Sequence, residues 1–223
     1  MNLYKSKEMR RAQSIEKLKL YGIDYIENLP VTYEANEVKI KSIEDIAKRY
    51  IANIISIQVA YDLLNNADVD CSLNFFNDLL NMYESRDALN ELERKVLRKE
   101  LGKKELVNLT WQYESLNVLS WVLGLKKDLN FPNEVCDASY LVEVIATSKN
   151  LSEFIVKCNI IDVETILDEL DLEYRYHWAI VDKRINPSTN AVGLDEEIVV
   201  ERRRALEWLF EDIDDWNKIS LNT

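Results

Sequence analysis

Two ionisable side chains sit where apolar ones are expected. Glu114 falls inside a helical face made by Val107, Trp111, Val118, Trp121 and Leu125, and Arg202 falls in the middle of another made by Ile198, Val199, Leu206, Leu209, Phe210 and Ile213. A charge carried into an apolar face must reach water along its stem or meet an opposite charge inside. One reading is structural: the two charges find partners in the interior, each other included, and fix the register of the helices. The other is functional: they line a polar pocket between helices.

Further titratable groups cluster in the stretch from residue 162 to 185. Asp168, Asp171, Arg175 and the only histidine, His177, lie there at helical spacing. Asp171 and Arg175 are four residues apart and can pair on one helix surface. Glu114, Asp168, Asp171 and Glu201 form a possible oxygen donor set for a hard divalent cation, as carboxylates on facing helices do in some bundles. An acidic flank is also often just solvated. The sequence has no Glu-x-x-His pair, no G-x-S-x-G and no G-x-G-x-x-G, so it assigns no metal and no cofactor. His177 reads as a packed, hydrogen-bonded residue, or as a proton carrier if it shares a pocket with Asp171 or Arg175.

Helices must position these groups. The 223 residues include only 4 Gly and 3 Pro, against a usual combined share of about 12%. So few breakers leave little room for hairpins. The sequence predicts an all-α fold in one compact multi-helix domain spanning residues 1–223, with an N-terminal helix and irregular segment over 1–41 and a helical core over 42–223. The alternation over residues 37–41 suggests one short edge strand.

In chain order, a helix over residues 3–21 stops at Gly22, and Leu29-Pro30 forces an extended segment. Ser42 opens a long helix with Ile43, Ile46, Tyr50, Ile54, Ile57, Tyr61 and Leu64 on one face, closed by Asn65-Asn66. Helices are also expected over 72–83, 90–101, 103–123, 137–147 and 150–157. Asp162 and Asp195 cap two helices, over 162–185 and 195–213, around which the chain is organised. The first is expected to face the core with Val163, Leu167, Leu170, Tyr174, Trp178, Val181 and Ile185.

Forty acidic and 28 basic residues give a net charge of −12. A field of that sign repels phosphate backbones and anionic membranes, so no nucleic acid and no membrane partner is expected, whereas a basic protein partner would be attracted. The most apolar stretch, 50–64, is interrupted by Asn53, Ser56, Gln58 and Asp62 and cannot span a bilayer. Three separated cysteines and an N-terminus without an apolar signal region point to a reduced, cytoplasmic setting.

Residues 167–179, reading LDELDLEYRYHWA, and 201–209, reading ERRRALEWL, resemble a bacterial family, domain of unknown function four-two-seven-two. Arg10-Arg11 with Ser14, Gly22 with Leu29-Pro30, Trp111 with Glu114, and Trp121 to Gly124 resemble its earlier landmarks. A W-D…D-T ending associated with the family is altered: Trp216-Asn217 and Asn222-Thr223 carry Asn in place of both acids. The resemblance implies an intracellular bacterial protein and supplies no activity. The charge and the lack of a catalytic motif favour an acidic protein-binding module with structural ion pairs. The alternative is a metal-dependent hydrolase of phosphorylated small molecules that uses the carboxylates on the organising helices.

Overall fold

Side-chain caps start most of the helices, as the sequence suggests. A computed structural model describes residues 5–223. In α1 (Lys7–Tyr21) the Ser6 hydroxyl accepts from Met9 N at 3.2 Å. Gly22 closes the helix at φ 68°, in the left-handed region that glycine enters without penalty. Positions 3 and 4 of the expected first helix lie outside the described residues. Ser42 caps α2 (Ile43–Leu64), Asp68 caps α3 (Val69–Met82), and Asn90 with Glu93 forms a capping box on α4 (Glu91–Leu97).

A single long helix was expected over 103–123, and the structure corrects this. The stretch is two helices, α5 (Lys103–Trp111) and α6 (Tyr113–Val122), with Gln112 between them at ψ −3°. The Gln112 amide bonds back three residues to Leu109 O at 3.1 Å, a local tightening that ends the α ladder. Its side chain is held on both sides, accepting from Asn53 at 2.6 Å and donating to Asn217 at 3.0 Å.

Gly124 follows α6 at φ 69°, and a Cβ built on it would stand 2.5 Å from Asn159 O. Glycine is required there twice over, by the backbone angle and by the close approach of a neighbouring segment. That segment is tied on by Asn159 N to Leu123 O at 2.8 Å and Ile161 N to Val122 O at 3.0 Å. After Gly124 come α7 (Ala138–Ala146), α8 (Leu151–Lys157), α9 (Val163–Ile185), α10 (Glu196–Trp208) and a 3-10 turn at Trp216–Lys218, the tied-on segment lying between α8 and α9. The fold is all-α.

The edge strand suggested at 37–41 is absent, and the described residues contain no strand. Glu37 N closes a turn on Glu34 O, and Lys41 N reaches Leu209 O at 3.0 Å. With no neighbouring strand to complete a ladder, the segment lies along the end of α10.

α2 is the axis of the main core. Ile46, Tyr50, Ile51, Ile54 and Ile57 are buried, and α3, α4, α5, α6 and α8 pack around it. Its many β-branched residues are weak helix formers held by that packing. α10 packs on both α6 and α9, and α1 lies on α9. A smaller apolar cluster of Leu18, Ile23, Leu172, Tyr176, Ala179, Ile180, Ala191 and Val199 forms where α1, α9 and α10 meet.

The stripe expected on α9 is only partly the buried face. Leu167 and Leu170 are buried, Tyr174, Trp178 and Val181 are half-buried, and Ile185 is 80% exposed. With α1 on one side and α10 on another, the middle of α9 is enclosed instead, including Asp171, Glu173, Arg175 and His177. α10 also stops short of Ile213. The chain turns back after Trp208, whose indole N–H donates to Asp214 O at 3.0 Å, and Trp208 meets Trp216 edge to face at 6.0 Å.

Candidate functional site

α6 brings Glu114, and α10 brings Arg202, into the same buried space. Arg202 Nε donates to Glu114 Oε2 at 3.3 Å, and its Nη1 donates to Asn130 O at 2.6 Å. Glu114 also accepts from Cys136 N at 2.6 Å, so both carboxylate oxygens have donors. Glu173, from α9, completes the group at 3.7 Å from Arg202. All three side chains are sealed from solvent. Two acids thus share one guanidinium. Neither Glu173 oxygen has a hydrogen-bond partner, and burial raises its pKa well above the usual carboxylate range, against the opposing pull of Arg202. Glu169, one turn earlier, is also raised by burial.

Asp171 and Arg175 pair with each other along α9, through Nε at 2.8 Å and Nη2 at 2.9 Å. This is the two-pronged geometry that suits a guanidinium and a carboxylate. Asp168 instead serves Arg10 of α1 at 3.1 Å and also Lys5. Glu201 accepts from the Ser115 hydroxyl at 2.9 Å and pairs with Arg204, and burial raises its pKa.

The four carboxylates offered as a divalent-cation set are therefore held apart, each by its own donor. No group of three or more His, Cys, Asp or Glu side chains is arranged to hold a metal ion among the described residues. His177 meets neither Asp171 nor Arg175. Its Nδ1 stands 2.8 Å from Arg203 Nη1 and accepts from it, which leaves the ring proton on Nε2. Burial, with Arg203, Arg184 and Arg204 nearby, lowers its pKa to about 4, so the ring is neutral at pH 7. That removes the pairing on which a proton-carrying role was conditional.

Several buried charges escaped the sequence reading. Arg10 is fully buried, on the same face of α1 as Ser14 and Leu18, and that i, i+4, i+8 spacing carried the signal. Arg49 and Glu93 pair between α2 and α4, with the guanidinium stacked 4.9 Å from the Trp216 ring. Arg49 lies one turn from Ile46 and Asn53, which could have marked it. Glu173 and Arg203 had no comparable flag.

A small pocket of about 320 Å³ borders Glu201 and Arg204, and a larger open space lies elsewhere. A surface cleft of about 1200 Å³ runs between residues 37–49, 87–94 and the turn after α10. Its apolar floor includes Trp208, Phe210 and Tyr33, and one wall carries Glu211, Asp212, Asp214 and Asp215. Asp87 also lines the cleft. Asp87, Asp212 and Asp214 are exposed and have no cation within ion-pair distance among the described residues. Several lining cations are already engaged, while Lys39, Arg94 and Lys218 also line the cleft and form no ion pair among the described residues. Arg49 turns inward to Glu93, Lys48 pairs with Glu44 at 2.8 Å, and Lys41 donates to Glu211 O at 2.9 Å while covering the Trp208 ring. The acid run at 211–215 is legible in the sequence, but its place in a cleft is not.

A family model described as Domain of unknown function (DUF4272) matches residues 10–219 of the chain. Neither the comparison with curated proteins nor that with solved structures gave a match.

Proposed function

The chain belongs to the DUF4272 family, and on that premise we propose that it is a protein-binding module whose cleft takes an extended, basic segment of a partner protein. One observation carries this reading: the carboxylates of Asp87, Asp212 and Asp214 face a cleft with an aromatic floor and have no cation of their own among the described residues. Charges buried elsewhere in the protein are nearly all matched internally. Charges left over at a concave surface are available to an outside partner. The net charge of −12 adds a long-range field that draws basic chains in.

The floor supplies what charge alone does not. Tyr33 and Phe210, both half-buried in the lining, offer ring surface against which lysine stems or guanidinium planes can lie, whereas Trp208 is buried beneath Lys41. Lys41 already sits over the Trp208 ring at 4.9 Å, which shows that the ring face accepts a cation. Three free thiols support a reducing cytoplasmic setting for this binding.

The test is titration of a short fluorescent peptide alternating Lys and Arg with Ala, followed by anisotropy at low and high salt. Binding should weaken as salt rises, and Asp212→Asn with Asp214→Asn should weaken it about two- to fivefold for each carboxylate removed. Equal binding of an acidic peptide, or salt-independent affinity, would overturn the reading.

A further inference from the structure

Arg203 is built differently from the other buried cations. It is 4% exposed, and the Tyr174 ring lies under its guanidinium carbon at 4.4 Å. Nε meets Glu207 at 3.4 Å, and Nη1 meets His177 Nδ1 at 2.8 Å. The remaining donors point at two successive main-chain carbonyls. Nη1 donates to Leu221 O at 3.3 Å and Nη2 donates to Asn222 O at 2.9 Å. Arg10, Arg49, Arg175 and Arg202 each have a carboxylate within 4 Å of a terminal nitrogen, whereas Arg203 meets one, Glu207, only through Nε. At Arg203 the end-on edge of the fork is filled by neutral oxygens alone.

Two oxygens side by side on that edge reproduce the way a carboxylate engages arginine. We propose that Arg203, Tyr174 and His177 form a binding site for a carboxylate-bearing ligand, and that segment 219–223 closes this site by placing two peptide carbonyls where the ligand's oxygens would sit. A charged ligand oxygen makes a hydrogen bond roughly twice as strong as a neutral carbonyl does, which gives the ligand its advantage over the strap. Burial lowers the pKa of Arg203 against the opposing pull of Glu207. His177 holds Nη1 as an acceptor and keeps the fork turned toward the strap.

The strap is lightly held. Asn222 and Thr223 are exposed and Leu221 is half-buried. A monoanion fits this site better than a dianion, because Glu207 lies beside it and Glu211 lies just beyond, hydrogen-bonded to Tyr33 at 3.1 Å. The site adjoins the cleft's acidic wall at Glu211 but takes a ligand of opposite charge, so acetate and the basic peptide test the two readings separately.

Acetate and inorganic phosphate serve as probes of the full chain, with two readouts: the Arg203 Nε–H resonance and hydrogen exchange of the 219–223 amides. Acetate should shift the resonance saturably and speed exchange over 220–223, while phosphate should do less. Leu221→Gly, which loosens the strap and leaves its carbonyl in place, should tighten acetate binding several-fold, because less of the protein starts closed. Arg203→Lys keeps the charge and loses the fork, and should abolish the acetate response while circular dichroism stays helical. If acetate moves neither readout in the parent chain or in Leu221→Gly, the strap is a plain structural clamp and the proposal is wrong. Release by phosphate and not by acetate would overturn the ligand class.

Discussion

Glu173 stands 3.7 Å from Arg202 in a sealed space and accepts no hydrogen bond on either oxygen. Glu114, at 3.3 Å, already holds the same guanidinium, and Glu169 adds a further nearby acid. A second buried anion there has too little positive charge to share, so the carboxyl favours its protonated form.

Stability should therefore fall as the pH rises. The folded-state pKa of Glu173 lies above its value in the unfolded chain, about 4.3. Its contribution is complete below that unfolded value and is lost as the pH climbs through the raised folded value. Glu173→Gln, uncharged at every pH, should flatten this decline and leave the protein at least as stable at neutral pH. Urea unfolding at pH 5 and pH 8 for both proteins checks it; a steeper decline in the variant would contradict the assignment.

Removing Glu114 should do far more harm than removing the charge of Glu173. Glu114→Ala leaves Arg202 buried without its hydrogen-bonded carboxylate and orphans the Cys136 amide. Breaking a buried pair from one side costs about 3–5 kcal/mol. Replacing both partners together, as Glu114→Met with Arg202→Met, should recover much of that loss. Denaturant midpoints of the single and double variants measure the difference.

Gly124→Ala combines a left-handed backbone with a Cβ 2.5 Å from Asn159 O. The backbone angle alone costs about 1–2 kcal/mol for a residue with a Cβ. The clash must also push away the segment that links α8 to α9, so the total should exceed that range. Thermal unfolding of the variant reads it directly.

The three thiols should react at very different rates. Cys71 is exposed, whereas Cys136 and Cys158 are half-buried. Burial pushes the Cys158 thiol up to about 11 and raises Cys136 further, with Glu114 beside it adding to the effect. A thiol-reactive dye at pH 8 should label Cys71 first and leave the other two largely unmodified until the protein unfolds. Mass mapping of the labelled peptides gives the order.

Local signals in the sequence carried much of the fold. Ser42, Asp162 and Asp195 announce helix starts through their own side chains, and Gly22 and Gly124 announce stops through the angles they permit. The break at Gln112 left no such mark, because it depends on Asn53 and Asn217 gripping one side chain from separate parts of the chain. Glu114 and Arg202 stood out as charges amid apolar neighbours. Glu173 did not, because a helix wheel drawn for one buried face hides a residue that becomes enclosed only when α1 and α10 both cover α9. The cleft was out of reach for the same reason. Its walls come from three stretches far apart in sequence.

Hydrogen exchange with and without the short Lys/Arg peptide tests the central claim most directly. Bound peptide should slow exchange in residues 37–49, 87–94 and 208–218, the three stretches that wall the cleft, and high salt should erase that protection. Protection confined to another face, or no change at saturating peptide, would contradict it.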